Sequence, residues 1–508
     1  MKKIISLLFL LSTLFSFAQS YTVLNETAGE IMAFSPIYED ANLYGYVEVR
    51  KMNVDEKANV TFKYIVLDKN FNKICTGDML EKQSPVRAKR NLYDITFSNG
   101  YLKFDFSERI WALGEYVPSR GWGAMDSFFE TYQVLDIKNN KIIANGIYNS
   151  KIEVFDKKHF SKDDFFYTNY PLEGTGFLVK VDGYHGGNSG NERNTFYATN
   201  FKNEKIWEYK SNEILKKNVS LIINVLDYDN QNILLEEFNG YGDKKDIRNF
   251  VLLDTKTGKE LFKLPIKGTY LLERENVYLK DGKIYEWGRF FEEEKKLLYH
   301  QKYLYATYEE YEKKSLGVFQ RIIDIKSAQL TKDKYVKYSE FPTLEINENG
   351  KVKNDGFLSF QKCTSNPDGT FMILAESYWQ KHQYRAYNKL FTFLLDKDFN
   401  PIKTTEYEVK RTKGYKYDFS QRLPNKTGRA YFFFDKTDDK DLELNILNYY
   451  YKSQKETVQK MPLTNDESSI AIFPAKEGYI GIAEYFKNPE KKGKYMEIRL
   501  EKLNYERE

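Results

Sequence analysis

Phe250-Val-Leu-Leu-Asp254-Thr-Lys-Thr-Gly258-Lys259-Glu-Leu-Phe262 is the stretch that decides the fold. Its first apolar residues predict a buried strand, and the polar residues after them predict a tight turn. Asp254 can accept hydrogen bonds from the backbone amides of that turn. Gly258 suits the left-handed backbone that tight hairpins need. The apolar residues up to Phe262 then predict a strand that returns beside the first, which makes the stretch a β-hairpin.

Similar hairpins recur along the whole chain. Each has an apolar strand that ends in Asp or Asn, a polar turn with Lys or Gly, and usually an apolar return. The residues at the strand ends are Asp68, Asp136, Asn200, Asp254, Asp324, Asp396, Asn448 and Asn504. They are separated by 52 to 72 residues. A near-regular period of this kind is the signature of a repeat architecture.

A second recurring element precedes each hairpin, namely a turn followed by a strongly apolar strand. Asn99-Gly100 and Asp281-Gly282 are two such turns, and these pairs are among the best short-range hairpin signals. Some of the strands are continuously apolar, as in Phe371-Met-Ile-Leu-Ala375 and Tyr431-Phe-Phe-Phe434. Strands of this kind are usually covered on both faces. In a β-propeller each sheet is packed between two others, which produces such strands.

We therefore predict an all-β protein, a β-propeller of seven or eight four-stranded blades, with eight favoured by the number of repeats. Segment 21–34 is expected to close the ring by completing the last blade. Residues 19–508 would form this single domain, with loop insertions at about 115–128, 182–194 and 292–316. Tandem β-sandwiches and an outer-membrane β-barrel are the alternatives. The barrel is disfavoured because residues such as Phe432 would face a polar lumen.

The first 18 residues predict a secretory signal peptide. Lys2 and Lys3 precede an almost wholly apolar run from Ile4 to Phe17, and Ala18 ends a small-residue cleavage site. The run is short for a membrane span, which needs about 20 residues. We predict cleavage after Ala18, no transmembrane helix thereafter, and a location in the periplasm, at the outer membrane or outside the cell.

Charge, cysteine and histidine content exclude several classes of function. The net charge is +4, from 77 basic and 73 acidic residues that are mixed along the chain. No nucleic-acid partner is therefore expected. Two cysteines, Cys75 and Cys363, are too few for a disulfide framework. Histidines occur only at positions 159, 185, 300 and 382, without zinc-ligand spacing. We predict no metal and no cofactor.

Residues Asp254 to Phe262 resemble the Asp-x-x-Thr-Gly-Lys-x-Leu-Trp repeat of propellers related to the quinoprotein dehydrogenases. Asn200 to Trp207 is a looser second copy. Non-catalytic members of that wider group act as outer-membrane assembly and binding scaffolds, so the resemblance implies a role of this kind. The enzymes of the group have adjacent cysteines near the cofactor. Cys75 and Cys363 are far apart in sequence, so the resemblance does not extend to quinone binding.

The most site-like stretch is the loop around Arg120 and Trp122. Trp, Arg and Tyr make binding hot spots, and the glycines on either side of Trp122 would expose it. The alternative is that Trp122 packs against a neighbouring blade. A glycine-rich run with Tyr184 and His185 is the second candidate. It matches neither a phosphate-binding loop nor a nucleophile elbow, and a plain hairpin loop is its alternative.

We expect a non-enzymatic propeller of the periplasm or cell surface. It would bind a protein or glycan of the cell envelope through loops on one ring face, as a monomer or as a component of an envelope complex. The alternative is a secreted polysaccharide hydrolase or lyase with acidic residues at the central channel. Carboxylates that converge with an Arg, Tyr or His at the channel mouth would favour the enzyme.

Overall fold

The computed structural model is an all-β protein whose eight sheets are arranged as an eight-bladed β-propeller, as predicted. The structure describes residues 20–24, 29–39, 42–82, 90–111, 126–148, 165–183, 195–211, 221–239, 248–266, 270–291, 315–347, 351–381, 384–413, 417–436, 442–463, 468–488 and 493–505. No helix in these ranges is long and apolar enough to cross a membrane.

The first strand of the chain, β1 (Ser20–Leu24), belongs to the last blade. Blades 1 to 4 are antiparallel sheets whose strands pair in chain order. Blade 1 contains β2 (Glu30–Glu39), β3 (Asn42–Val54), β4 (Asn59–Asp68) and β5 (Lys73–Lys82). Blade 2 contains β6 (Arg90–Ser98), β7 (Tyr101–Trp111), β8 (Asp126–Asp136) and β9 (Lys141–Ile147). Blade 3 contains β10 (Phe165–Leu172), β11 (Gly176–Gly183), β12 (Thr195–Thr199) and β13 (Lys205–Tyr209). Blade 4 contains β14 (Leu221–Tyr228), β15 (Asn232–Asn239), β16 (Arg248–Asp254) and β17 (Glu260–Pro265).

Blades 5 to 8 follow the same plan, and blade 6 has one extra short strand. Blade 5 contains β18 (Leu271–Lys280), β19 (Lys283–Phe291), β20 (Ser315–Asp324) and β21 (Gln329–Lys337). Blade 6 contains β22 (Lys351–Val352), β23 (Gly356–Ser365), β24 (Phe371–Lys381), β25 (Tyr384–Leu395) and β26 (Pro401–Lys413). Blade 7 contains β27 (Tyr417–Arg422), β28 (Gly428–Lys436), β29 (Leu442–Tyr450) and β30 (Glu456–Pro462). Blade 8 contains β31 (Ser468–Pro474), β32 (Tyr479–Asn488) and β33 (Gly493–Lys502), completed by β1. Two 3₁₀ turns are described, Tyr338–Glu340 and Pro424–Lys426.

The first strand of each blade lies nearest the ring axis. First strands of neighbouring blades contact each other. Strand β2 contacts β6, β6 contacts β10, and β14 contacts β18. Because successive antiparallel strands alternate in direction, two kinds of turn share one ring face. Turns between first and second strands surround the axis, and turns between third and fourth strands lie towards the rim.

The N-terminal strand closes the ring, as predicted, because β1 pairs with β33 along its whole length. Segment 21–34 is not one strand, however, since β2 begins at Glu30 and opens blade 1. The chain has to cross from the outer edge of blade 8 to the inner edge of blade 1, so a single strand could not serve both. Tyr46 of blade 1 and Ile498 of blade 8 belong to one apolar cluster that joins the two blades.

Strand β24 shows how apolar side chains hold the ring together. Phe371, Ile373 and Ala375 belong to a cluster shared with blade 5, and Met372 and Leu374 to a cluster shared with blade 7. Alternate side chains point to opposite faces of a strand, and all five are buried. The prediction that continuously apolar strands are covered on both faces is confirmed.

The turns between third and fourth strands have the chemistry that the repeats predict. Oδ1 of Asp254 accepts hydrogen bonds from the backbone N–H and the hydroxyl of Thr257, at 2.8 and 2.6 Å. These bonds hold the pKa of Asp254 below its usual value. The equivalent side chains that accept a backbone N–H of their own turn are Asp68, Asp136, Asn200, Asp324 and Asp396.

Two of the predicted turn residues do not start a turn. Asn448 lies inside β29, is 2% exposed, and stands opposite Ala430 and Thr457. The turn of blade 7 follows Tyr450 instead. Asn504 follows β33, whose outer neighbour is β1 rather than a returning strand. Both residues end a short apolar run, and only the strand pairing distinguishes them from the turn residues.

Gly258 is needed mainly because a side chain at this position would collide with the neighbouring blade, and less because of the backbone conformation of its own turn. Its φ is +67°, but Asn140 and Ala328 take φ values of +48° and +54° at the equivalent turn position of other blades. A Cβ atom on Gly258 would lie 2.3 Å from the indole ring of Trp207 in blade 3. The Trp207 Nε1–H donates to the carbonyl oxygen of Thr255 at 3.0 Å. Trp207 therefore packs on the turn of blade 4.

We expect Gly258→Ala to lower the free energy of unfolding by about 2–5 kcal/mol. The left-handed backbone costs an alanine about 1–2 kcal/mol, and overpacking against Trp207 adds about 1–3 kcal/mol. Gly282→Ala is the matched control, because Gly282 has a φ of +69° and no neighbouring atom within 4 Å of the added carbon. Denaturant unfolding of both variants measures the difference. Equal losses would show that Trp207 does not require the glycine.

Candidate functional site

The site residues predicted from the sequence lie outside the described residues. This holds for Arg120 and Trp122, for Tyr184 and His185, for the first 18 residues and for the other three histidines. The predicted insertions also lie outside, except for their ends, which are strand at residues 126–128, 182–183 and 315–316. The contacts predicted for the two loops therefore stay predictions.

The interface between blades 2 and 3 differs from the other seven. At every other interface a cluster of buried apolar side chains spans both blades. Among the described residues, no such cluster spans blades 2 and 3. Tyr101 stacks on Phe201 at 4.1 Å at the turn end of this interface. Elsewhere aromatic rings such as that of Phe177 are mixed with buried charged and polar side chains. Functional sites are where proteins depart from an otherwise consistent packing rule, which makes this interface the candidate site.

Asp105 of β7 anchors a hydrogen-bond network across the interface. It is 2% exposed, and its Oδ2 accepts a hydrogen bond from Nδ2 of Asn169 in blade 3 at 2.8 Å. Its Oδ1 accepts another from the hydroxyl of Tyr148. Burial raises the pKa of Asp105 to about 6, although Lys103 opposes the shift. Burial and the charge of Asp105 raise the pKa of Tyr148 well above its ordinary value, so this hydroxyl stays protonated and donates.

Lys103 is fully buried beside this network, surrounded largely by aromatic rings. Its Nζ donates to Oδ1 of Asn203 at 2.7 Å. It also lies 5.2, 5.0 and 5.2 Å from the ring centroids of Tyr132, Tyr148 and Phe177. The faces of aromatic rings attract cations. Burial lowers the pKa of Lys103 to about 8, and Asp105 opposes that shift.

Glu130 links β8 to β10. Its Oε2 accepts a hydrogen bond from the backbone N–H of Tyr167 at 3.1 Å. Its Oε1 is buried, and no described residue donates to it. Burial raises the pKa of Glu130 to about 8; the Tyr167 N–H opposes the shift and Asp105 adds to it. Glu130 is therefore largely protonated at neutral pH.

A cleft of about 420 Å³ opens beside this network, between the two blades. Four tyrosines line it, Tyr132 and Tyr148 from blade 2 and Tyr167 and Tyr197 from blade 3. The rings of Tyr148 and Tyr167 stack with their centroids 4.4 Å apart. A recess with aromatic walls and a few placed polar groups is the usual form of a small-ligand site.

The polar part of the lining comes from blade 3. Thr195, Asn203 and Lys205 line the cleft, and Nζ of Lys205 lies 4.9 Å from the ring centroid of Tyr197. No carboxylate is among the described residues of the lining. The cleft therefore offers aromatic faces, hydroxyl groups, an amide and an ammonium group to a ligand.

Reasoning from the sequence missed this cleft, although the sequence contains a signal. In β7 the charged residues Lys103 and Asp105 alternate with the apolar Leu102, Phe104 and Phe106, which pack towards blade 1. Charges in a strand that is covered on both faces have to be paired inside the protein. The two loops predicted as contact sites connect strands that contribute to the site. Residues 112–125 connect β7 to β8, and residues 184–194 connect β11 to β12.

A second pocket, of about 460 Å³, lies on the face that carries the turns between first and second strands. Residues of blades 1 to 4 line it, including the carboxylates of Glu39 and Glu173 and the ammonium group of Lys256. Its described lining contains no Arg, Tyr or His. Among its described residues, the two carboxylates are therefore accompanied by a lysine and not by an Arg, Tyr or His.

Metal binding and thiol chemistry each set requirements for the described residues. No group of three or more His, Cys, Asp or Glu residues there is arranged to hold a metal ion. Cys75 and Cys363 are free thiols, buried in blades 1 and 6. Burial raises the pKa of Cys75 to about 11, so this thiol stays protonated and unreactive at neutral pH.

Comparisons with known proteins assign no function to the chain. A family described as "Family of unknown function (DUF6770)" matches residues 384–504, about a quarter of the chain. No curated protein matches the chain.

Three solved structures illustrate the likeness of fold. The chain is similar to polysaccharide lyase Uly1, with 9% identity over 95% of this chain and 92% of that one and a TM-score of 0.37. It is similar to the WD40 domain of SCAP from fission yeast, with 10% identity over 92% and 97% and a TM-score of 0.35. It is also similar to a protein of unknown function from Bacteroides caccae, with 9% identity over 71% and 93% and a TM-score of 0.26. These likenesses are too distant to carry an argument about the site.

Raising the pH is expected to destabilise the protein through Glu130. Its pKa is about 8 in the folded protein and about 4.3 in an unfolded chain. A raised folded pKa means that the stabilisation is complete below the unfolded pKa and is lost as the pH rises to the folded pKa. Relative to Glu130→Gln, wild-type protein should lose up to about 1.4 kcal/mol per pH unit between pH 5 and 8, and little more beyond.

Denaturant unfolding at several pH values measures this difference. Glu130→Gln keeps an oxygen for the Tyr167 N–H but cannot ionise, and Glu56→Gln at an exposed position is the control. If wild type and Glu130→Gln showed the same pH dependence, Glu130 would not have the raised pKa.

Proposed function

We propose that this protein is exported and that it is a non-enzymatic propeller that binds a glycan in the cleft between blades 2 and 3. The tyrosine-lined, polar cleft at the interface without a shared apolar cluster carries the proposal. Tyrosine combines a flat apolar body with a polar tip. A sugar ring has the same two properties, since it presents C–H groups on its faces and hydroxyl groups at its edge.

The shape of the cleft favours a glycan over a protein partner. A stable protein interface buries about 800 Å² on each side, whereas this site is a recess. Its volume of about 420 Å³ lies within the range of small-ligand pockets, about 300–1,000 Å³. Tyr148 and Tyr167 are held in place by their mutual stacking and by the network behind them. Rigid aromatic walls reduce the entropy that is lost on binding.

Binding is favoured over catalysis because Lys103 and Asp105 already have partners within the protein. Asp105 accepts hydrogen bonds from Tyr148 and Asn169, and Lys103 donates to Asn203. Tyr148 could act as a base only after losing its proton, which its raised pKa opposes.

A polysaccharide hydrolase or lyase is the second candidate. The observation in its favour is the pKa of about 8 of Glu130, since a carboxyl group that titrates near neutral pH is suited to general acid–base catalysis. Prolonged incubation of the protein with a bound polysaccharide, followed by an assay for new reducing or unsaturated ends, separates the two functions. If the wild-type protein turned over the polysaccharide and Glu130→Gln did not, the enzymatic function would replace the proposed binding function.

Export is proposed from the first 18 residues. We expect the exported chain to begin at Gln19, one residue before β1, and to be found in the envelope or the medium. Intact-mass measurement after expression in a Gram-negative host checks the cleavage, and fractionation checks the location. Ala18→Asp, which places a charge at the cleavage site, should leave the leader attached. A full-length chain in the cytoplasm would contradict export.

Glycan binding is testable with the mature protein on a panel of envelope and extracellular polysaccharides. We expect saturable binding of at least one of them by calorimetry. Tyr197→Leu keeps apolar bulk but removes the ring, and should weaken binding about three- to tenfold, in line with the contribution of one aromatic contact. Tyr285→Leu is the control, because Tyr285 stacks on Tyr278 in blade 5, away from the cleft. Absence of binding across the panel would contradict the proposed function.

A further inference from the structure

The described lining of the cleft contains one cation and no anion. The cation is Lys205, whose side chain is 51% exposed. It pairs with Glu208, which lies outside the lining, and Nζ of Lys210 contacts the same carboxylate at 2.7 Å. Lys205 therefore shares this carboxylate with Lys210. An exposed ion pair is weak, so an anionic ligand in the cleft can compete for the ammonium group.

Asn203 adds an oriented hydrogen-bond donor. An ammonium group can only donate, so the amide oxygen of Asn203 is turned to Nζ of Lys103, 2.7 Å away. The amide NH₂ group consequently points away from Lys103. Asn203 also lines the cleft, which leaves this NH₂ group as the part that a ligand can use. Lys103 thus orients Asn203 so that its amide presents a hydrogen-bond donor to the cleft.

The groups behind the lining carry little negative charge at neutral pH. Lys103 and Asp105 compensate each other. Glu130 is uncharged while protonated, which burial favours by raising its pKa to about 8. The groups that act on Glu130 are Asp105 from β7, the N–H of Tyr167 from β10, and Arg90 from β6.

Two further contacts involve the groups around Glu130. Arg90 pairs with Glu81 at 3.0 Å. Tyr148 donates its backbone N–H to the carbonyl oxygen of Glu130 at 3.2 Å. Ionisation of Glu130 would add one negative charge close behind the two stacked tyrosines.

We propose that the cleft selects an anionic sugar, whose carboxylate or sulfate is bound by Lys205 and the Asn203 amide while its ring packs against the tyrosines. The selectivity names the class of glycan and so rests on the proposed function. Ionisation of Glu130 weakens the binding of an anionic sugar and leaves a neutral one unaffected, since a like charge behind the site repels only the anion.

Four probes test the selectivity on the mature, full-length protein. They are an oligogalacturonate, the same oligosaccharide with its carboxylates reduced to alcohols, a sulfated galactan oligosaccharide, and its desulfated form. Calorimetry at pH 6.5 should show at least one anionic probe binding roughly tenfold more tightly than its neutral counterpart, as expected for one charge-assisted hydrogen bond. The anionic probe that shows this preference identifies the group as carboxylate or sulfate.

Three variants locate the selectivity. Lys205→Met keeps the apolar stem and removes the charge, so it should abolish the preference. Lys259→Met is the control, because Lys259 is an exposed lysine at the end of the blade 4 turn and does not line the cleft, and it should retain the preference. Between pH 7 and 9 the preference should shrink more in wild-type protein than in Glu130→Gln, where Lys103, with a pKa of about 8, still titrates behind the cleft.

The outcomes separate this inference from the proposed function. Equal affinity for anionic and neutral probes would overturn the selectivity and leave glycan binding in place. An anionic preference that survives in Lys205→Met would also overturn it. If no probe and no member of the wider panel bound, the proposed function would fail, and the selectivity with it.

Discussion

Every blade of this ring is buried on both faces, so each depends on both of its neighbours. In β28, Phe432 belongs to the cluster shared with blade 8 and Phe433 to the one shared with blade 6. Burial of one such side chain is worth about 1.5–3 kcal/mol, and a missing neighbour would expose a whole face of them. The pairing of β1 with β33 meets this constraint, because it completes the sheet that stands between blade 7 and blade 1. Local stability therefore depends on closure of the entire ring.

The interface between blades 2 and 3 is tolerable because an apolar cluster spans each of the other seven interfaces. Moving a charge out of water costs several kcal/mol, and this interface holds Lys103 and Asp105. Hydrogen bonds from Tyr148 and Asn169 to Asp105, and from Lys103 to Asn203, offset part of that cost. The remaining desolvation cost is offset by the apolar packing of the other blades. A protein that retains such an arrangement does so for specificity or function rather than for stability.

Buried charge by itself does not mark the site. Between blades 4 and 5, Arg274 bridges Glu236 and Glu286 at 2.9 and 3.0 Å. There Arg248 and Arg321 also pair with the two carboxylates, and an apolar cluster spans the same interface. Neither Arg274 nor the two carboxylates line a described pocket. Between blades 2 and 3 the charges adjoin a cleft, and no apolar cluster among the described residues spans the interface. That combination makes the charged cluster between blades 2 and 3 a candidate site, whereas the cluster around Arg274 is structural.

The fold could be predicted largely from local patterns, because a propeller is built from hairpins that are close in sequence. Asp254 and its counterparts start turns whose hydrogen bonds lie within a few residues, and β24 shows its double burial in its composition. Asn448 was misjudged because its local pattern equals that of the true turn residues, and only its pairing with Ala430 places it inside a strand.

The cleft could not be predicted in this way, because its parts come from separate blades. Asp105 and Asn169, or Lys103 and Asn203, meet only when two sheets pack face to face. The same is true of Gly258, whose neighbour Trp207 belongs to another blade. The sequence by itself determined the hairpins, the repeat and the need to bury both faces of each sheet, since these follow from contacts between near neighbours. Only the tertiary structure decided which faces meet, and with them the cleft between blades 2 and 3, because this depends on which distant residues the closed ring brings together.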